Sequence, residues 1–342
     1  MKKYFTSILC VCTLAVQAQK VDLDRFNFNF EYRNLPHHPL DSTFKTYSVL
    51  LDAPYTVTGS MGADAIASRI VLQGFDRVDS DGDVRTEVHI QDLIIDKYQV
   101  VENSSTTKNK DGSETKTYSY YVSVDYNMQG HADWFSSSGV ELSKGINLFG
   151  SRSYNWASAT YKTRSEATNY YYNNKNAIVN NLIRERVNEA IASANSHMNY
   201  QFGYPVTTEA SYFWLLDSKK HPENEPMSLR WKALKPALEG VSANSLSEDT
   251  KSKMMEMIKY FDGIKTTYAE DDKGHKKMRY AAFYNNALLY LMLDMPEKAI
   301  EEANGLIAND YDEKDGERLA KRAEELMALF TLNHTQNRHF TK

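Results

Sequence analysis

The spacing of hydrophobic residues changes character near residue 163. Before it, β-branched and aromatic residues alternate with polar ones, which is typical of strands with one solvated face; after it, apolar residues recur every three or four positions, as in amphipathic helices. We therefore predict an α+β protein. An antiparallel β-sheet or small sandwich is packed by one long helix, and an all-α domain follows.

The clearest alternation covers residues 118–128, from Tyr118 to Met128. Together with the pattern over residues 84–101 it predicts a hairpin, whose tip is the polar run 104–117 with an Asp111-Gly112 turn. Further strands are expected at residues 47–51, 66–72, 133–135, 140–149 and 152–161.

Helical spacing begins at residue 165 and continues to about residue 200, with Tyr171, Leu182 and Ile191 on one stripe. Such a helix would cover the apolar face of the preceding sheet, so we expect a sheet-plus-helix domain over residues 19–205. We place a helical domain at residues 206–342, with a looser segment around His221 and Pro222 before its helices. Its helices are expected at residues 227–238, 247–268, 278–293, 296–308 and 315–332.

Residues 279–310 carry the most specific pattern in the chain. Two helical patterns are joined by a tight break, and Pro296 stands at the start of the second. With an aromatic residue at position 283, small residues at Ala287 and Ala299, and Tyr290 between them, the segment resembles a tetratricopeptide repeat (TPR). Asn286, Asp294 and Tyr311 stand where that family commonly has Leu, Gly and Pro.

The resemblance implies a concave, ligand-facing surface on the first helix of the pair. Its positions in this chain are mostly apolar: Ala281, Tyr284, Leu288, Leu291 and Met292. An apolar groove left in water promotes aggregation, so either another part of the chain or a protein partner should cover it.

The first 18 residues are typical of an export signal. Lys2 and Lys3 precede an apolar run over residues 4–16, which is too short to span a bilayer, and we expect cleavage near Ala18. Cys10 and Cys12 both lie in this segment, so the mature chain would contain no cysteine for disulfides or thiolate chemistry. We expect a bacterial envelope protein, periplasmic or outer-membrane-associated, without a transmembrane segment after the signal peptide.

Charge argues against one class of partner. The net charge of −5 becomes −7 when Lys2 and Lys3 are removed, and the sequence has no long basic stripe. Nucleic acid is therefore not an expected partner.

The segment 79–83 has a calcium-like composition. Aligned on the EF-hand pattern through Gly82, however, Arg77 occupies the first ligand position and Val88 the bidentate one. Because arginine cannot coordinate calcium, we interpret the segment as a solvated turn, and a less regular calcium site is the alternative.

No familiar catalytic pattern is present. His37-His38 has no second ligand pair at metal spacing, and the other histidines are scattered, which favours surface positions. His131-Ala132-Asp133 and the nearby Ser136 are hydrolase residue types, but the sequence has no G-x-S-x-G elbow. We assign no catalytic residue, metal ligand or cofactor.

Aromatic residues are frequent in the first domain, and Trp134 and Trp156 stand among its tyrosines. Packing explains them most simply, since aromatics favour strands. Exposed rings would instead suit a glycan.

The sequence therefore predicts a non-enzymatic, exported binding or scaffold protein that engages protein partners through the TPR-like groove. A glycan-binding envelope protein that uses Trp134 and Trp156 is the alternative. A third hypothesis, an envelope hydrolase, requires a cleft where histidine and carboxylate groups converge.

Overall fold

The computed structural model describes residues 20–342, so the expected signal peptide lies outside the described part. These residues form two compact units: a sheet unit of residues 34–205, and a helical unit that combines residues 20–33 with 206–341. The strands are β1 (Leu23–Arg33), β2 (Thr46–Asp52), β3 (Asp76–Arg77), β4 (Val84–Ile90), β5 (Ile94–Lys108), β6 (Glu114–Asn127), β7 (Gly130–Ser136), β8 (Glu141–Asn147), β9 (Tyr154–Ala157) and β10 (Val206–Leu216). The helices are α1 (Tyr55–Met61), α2 (Ala63–Ala67), α3 (Arg164–Gln201), α4 (Asn224–Glu239), α5 (Glu248–Thr267), α6 (Lys273–Met292), α7 (Pro296–Ala308) and α8 (Glu313–Leu332).

In the sheet unit, five strands form a mixed sheet in the order β3-β2-β4-β7-β8. Strand β2 runs parallel to β3 and β4, and the other pairs are antiparallel. Alternate side chains such as Val84, Val88 and Trp134 are buried in one core with Val187 and Ala194 of α3. The opposite face of these strands carries charged and polar side chains such as Arg85, Glu87 and His89, together with Leu50 and Phe135.

A second sheet, in the order β5-β6-β9, packs against the first half of the same helix. Val122, Val124 and Tyr126 of β6 share a core with Tyr171 and Leu182 of α3. The start of α3 is a capping box, in which the Thr163 hydroxyl accepts a hydrogen bond from the backbone N–H of Glu166 and the Glu166 carboxylate accepts one from the backbone N–H of Thr163. A helix of 38 residues thus covers both sheets.

The expected α+β class is confirmed, and so is a hairpin, which is β5–β6. Its strands extend to Lys108 and Glu114, so most of the polar run 104–117, expected as the tip, is paired strand. Two strand predictions are wrong in detail. The pattern over residues 84–101 is divided between β4 and β5, which belong to different sheets. The expected strand at residues 66–72 is the end of α2 followed by turns, in which Ile66, Ile70 and Leu72 are fully buried. In the sequence, a short run of buried apolar residues has the same pattern whether it forms a strand or the end of a helix followed by turns.

The helical unit contains α4 to α8, and the observed bounds of α7 match the prediction. It also contains a two-stranded antiparallel sheet, because β1 pairs with β10 along its whole length. Residues 206–342 are therefore not all-α, and residues 23–33, which we grouped with the first domain, pack with the helices. In residues 20–342, no helix combines the length and the apolar character needed to cross a membrane.

Two buried histidines should make the helical unit sensitive to acid. Burial lowers the pKa of His221 and of His339, and Nε2 of His339 has no hydrogen-bond partner. The folded state therefore disfavours protonation of both imidazoles, whereas the unfolded chain protonates them near pH 6.5. Stability from these groups is present above about pH 6.5 and is lost as the pH falls below it.

We expect the melting temperature of the helical unit to fall between pH 7.5 and 5.5. Replacing both residues (His221→Gln and His339→Gln) should flatten this slope, whereas His197→Gln, at an exposed position of α3, should leave it unchanged. Melting curves over this pH range measure the fall in melting temperature of the wild type and the slope in each variant. An unchanged slope in the double variant would contradict the assignment.

Candidate functional site

The groove positions predicted on α6 are interior positions. Each exposes 5% of its surface or less: Ala281, Tyr284, Leu288, Leu291 and Met292. On one side the cover is β10 of the same unit, whose Tyr212 ring stacks on Tyr284 with the ring centroids 5.7 Å apart. A partner could reach these five side chains only by displacing parts of the helical unit.

Helix α6 also holds the backbone of β10, through the side chain of Asn285. The Asn285 amide donates to the carbonyl oxygen of Trp214 at 2.8 Å and accepts from its N–H at 2.9 Å. Asn285 is completely buried, and these two bonds reproduce the pair that a neighbouring strand would make. The helix thus binds an extended segment by its backbone, and that segment is the chain's own β10.

Aromatic rings continue from this contact towards the surface. The Trp214 and Tyr280 centroids lie 6.2 Å apart, and those of Tyr280 and Tyr311 lie 5.1 Å apart. The guanidinium of Arg25 lies 4.6 Å from the Tyr212 centroid and 5.0 Å from that of Trp214. The guanidinium of Arg318 lies beside Tyr284 and donates a hydrogen bond to its hydroxyl. We call this set the aromatic face, and its members are Arg25, Tyr212, Trp214, Tyr280, Tyr284, Tyr311 and Arg318.

Hydrogen bonds fix the inner rings of the aromatic face. The hydroxyl of Tyr280 donates to Oδ2 of Asp315 at 2.6 Å. Burial raises the pKa of Tyr280 and of Tyr284, so both phenols stay neutral at physiological pH. These rings form a rigid base below the outer members.

The outer members of the aromatic face are accessible. Tyr311 exposes 37% of its surface, Arg25 and Arg318 are exposed, and Tyr212 and Trp214 are half-buried. Flat rings combined with guanidinium groups offer apolar contact area, cation–π contacts and hydrogen-bond donors. This chemistry suits binding.

The two tryptophans considered for glycan binding lie in the sheet unit. Trp134 exposes 1% of its surface and packs edge-on against Phe202, with centroids 6.3 Å apart. Trp156 is half-buried against the core of the smaller sheet. Trp134 is therefore inaccessible to a sugar ring, and the packing explanation accounts for its position.

Within the segment 79–83, Asp83 has a structural role. Oδ2 of Asp83 accepts hydrogen bonds from the backbone of Lys45 and Thr46 and from the Thr46 hydroxyl, at 2.7–2.9 Å. These bonds lower the pKa of Asp83. One carboxylate of the suspected calcium segment therefore ties the turn to β2.

In the sequence the histidines are scattered and each was interpreted alone. Pairing of the strands brings two of them together. The rings of His89 on β4 and His131 on β7 stack with centroids 4.7 Å apart, beside the carboxylate of Asp133. A detectable signal was present, because Glu87-x-His89 and His131-x-Asp133 each place two ligand-type side chains on one face of a strand. Only the antiparallel register reveals that the two faces coincide.

The sequence matches no protein-family model, and no curated protein is significantly similar to it.

Proposed function

We propose that the protein is a non-enzymatic binding or scaffold protein, exported to the bacterial cell envelope, that engages a protein partner through its helical unit. The observation that supports a binding role is the aromatic face. Tyrosine, tryptophan and arginine are the side chains that most often dominate the energetics of protein interfaces. Export is supported by the signal-like residues 1–18 and by the absence of cysteine after them.

The mode of binding differs from the one that the repeat resemblance implies. Because β10 already occupies the inner side of α6, the partner docks on the outer members of the aromatic face, chiefly Tyr311, Tyr212 and Arg25. A suitable ligand is an extended peptide with apolar side chains that pack on the rings and acidic side chains that pair with Arg25. Nη2 of Arg318 already donates to Oδ1 of Asp315 at 2.8 Å. The buried base keeps the rings in place, so binding orders few side chains and loses little entropy.

Selection from a phage-displayed library of random dodecapeptides tests this proposal. Peptides enriched on the wild type are synthesised, and their affinity is measured by fluorescence polarisation. We expect Tyr311→Ser and Arg25→Ser each to weaken binding by about 10-fold or more, which corresponds to the loss of an interface residue worth over 1 kcal/mol. Both residues are exposed, so the variants should fold.

The matched control is Tyr55→Ser in the sheet unit, a tyrosine that exposes 87% of its surface. This variant should bind the selected peptides as the wild type does. If no peptide is enriched over the bare support, or if the selected peptides bind the Tyr311 and Arg25 variants unchanged, the aromatic face is not a peptide-binding surface.

A further inference from the structure

Histidine and carboxylate groups converge on the polar face of the five-stranded sheet. In the antiparallel register of β4 and β7, His89 lies opposite His131 and Glu87 lies opposite Asp133. On the other side, Asp52 of β2 lies beside His89. Since alternate residues of a strand share a face, these five side chains form two adjacent rows on the side opposite α3.

We propose that His89, His131 and Asp133 bind a divalent first-row transition-metal ion such as Zn²⁺. One potential ligand atom from each residue lies within 4.8 Å of the other two. Ligand atoms around a tetrahedral zinc ion are about 3.3 Å apart, as bonds of 2.0–2.1 Å require. The two imidazoles are partly exposed, at 30% and 47%, so small side-chain rotations can bring them to that spacing.

Neighbouring groups orient the proposed ligands. Nδ1 of His89 lies 3.1 Å from Oδ2 of Asp52, so this nitrogen carries the proton and Nε2 is left with its lone pair. The backbone N–H of Gly145 donates to Oδ1 of Asp133 at 2.6 Å, which leaves Oδ2 for a cation. A carboxylate behind a histidine and a fixed carboxylate ligand are the outer contacts that metal sites commonly have.

Asp133 provides an independent reason to expect a cation. Its side chain is only 9% exposed, and its Oδ2 lies 3.6 Å from Nε2 of His131, which is too far for a hydrogen bond. A buried carboxylate is stabilised when a positive charge or a metal ion lies against it. An ion between Oδ2 and Nε2 would serve both groups.

The ligand types select the class of metal. Imidazole nitrogen with carboxylate oxygen suits zinc, copper, nickel and iron, whereas calcium and magnesium prefer oxygen ligands alone. Glu87 is a third carboxylate on this face, beside Asp52 and Asp133. Its Oε1 accepts a hydrogen bond from Nε of Arg85 at 2.8 Å, so Glu87 is not one of the proposed ligands. Three protein ligands leave a coordination position open, and His131 also lines a pocket of about 360 Å³ with Asn147 and Arg152.

A second group with similar residue types provides the control. Among the described residues, Glu270, Asp272 and His275 also lie close together, but Glu270 and Asp272 are exposed. Oδ1 of Asp272 accepts hydrogen bonds from the backbone of Gly274 and His275 at the start of α6. Helix capping accounts for Asp272, so this group carries no metal proposal.

Calorimetric titration of the chelator-treated, tag-free protein with ZnCl₂ tests the site. We expect one Zn²⁺ per chain, no comparable heat with MgCl₂, and loss of the site in His89→Ala and in His131→Ala. Asp52→Asn, which alters only the orienting contact, should weaken binding by about 10-fold or more. Visible absorption of the Co²⁺ form provides a second readout, because its bands should change when either histidine is removed.

His275→Ala should bind Zn²⁺ as the wild type does, and circular dichroism checks that each variant is folded. The proposal is overturned if the wild type binds no zinc, or if the His89 and His131 variants keep the site. Loss of zinc in His275→Ala alone would place the ion at the start of α6 instead. His89→Gln, which is close in size to histidine, keeps the test decisive if an alanine variant fails to fold.

Discussion

Replacing Asp294 by alanine should destabilise the helical unit by about 3–5 kcal/mol, because it leaves a buried arginine without its counter-ion. Asp294 and Arg338 expose only 6% and 7% of their side chains, and Nε of Arg338 lies 2.6 Å from Oδ1 of Asp294. Oδ2 accepts the backbone N–H of Arg338 at 2.7 Å, and the same guanidinium donates to the carbonyl of Leu291 at 2.5 Å. The pair thus ties the end of the chain to the turn between α6 and α7.

Two further variants separate the contribution of the ion pair to stability from that of backbone strain at Asp294. Asp294 has a φ of +58°, a conformation that glycine adopts freely and alanine does not. Asp294→Gly removes this strain and still breaks the pair, so it should be only slightly less harmful than alanine. The double variant Asp294→Ala with Arg338→Met should recover part of the loss, since no buried charge is left unpaired.

Denaturant-dependent hydrogen exchange of α6 and α7 peptides measures this effect within the helical unit. The control is Asp249→Ala, which breaks the exposed pair of Asp249 and Lys253 on α5 and should change stability by no more than about 0.5 kcal/mol. An equally small effect at Asp294 would show that Arg338 finds another partner or becomes hydrated.

Replacing Asn285 by leucine should release β10 from α6 and destabilise the helical unit by about 2–6 kcal/mol. The substitution leaves the N–H and the carbonyl of Trp214 without their partner, and each buried, unpaired group costs about 1–3 kcal/mol. Hydrogen exchange of the 206–216 peptide measures the change. We expect faster exchange at Trp214 and around it.

The neighbouring asparagine is a matched control. Asn286 is equally buried, but its amide donates to a side chain, Oδ1 of Asp262 at 2.9 Å, and its own Oδ1 has no hydrogen-bond partner. Asn286→Leu should therefore be less harmful than Asn285→Leu and should leave exchange of β10 unchanged. If Asn285→Leu also leaves that exchange unchanged, the amide contact does not hold the strand.

These predictions bear on the proposed function, because the aromatic face includes Tyr212 and Trp214 of β10. A variant that releases β10 would also disturb the stacking of Tyr212 on Tyr284. For that reason Tyr311 and Arg25, which lie outside β10, are the better residues for testing partner binding.

Some features of this fold follow from local sequence. The repeating stripe over residues 165–200 predicts α3 to within one residue at either end, and Pro296 marks the start of α7. Alternation over residues 118–128 identifies β6, and the nearby Asp111-Gly112 turn indicates a hairpin, although its other strand is β5 and not the whole pattern over residues 84–101. Periodicity and turn chemistry act between residues that are close along the chain, so a single sequence records them.

The sequence also shows individual strands whose pairing partners it does not reveal. Phe26, Phe28 and Phe30 alternate with asparagines, which is a strand pattern that our sequence analysis did not use. Even with that strand recognised, its partner β10 lies about 180 residues later, and nothing local specifies such a pairing. The same holds for His89 and His131, which become neighbours through the register of β4 and β7.

The sequence by itself determined the α+β class, the positions of α3 to α8 and the presence of the β5–β6 hairpin, because each follows from the period of its own apolar residues. Tertiary structure alone decided what covers α6, which strand β1 joins, and which histidines meet a buried carboxylate. An apolar stripe specifies that a face must be buried, but many segments could bury it. The one that does is selected by the packing and hydrogen bonding of the whole unit, such as the stacking of Tyr212 on Tyr284 beside the contact of Asn285 with β10.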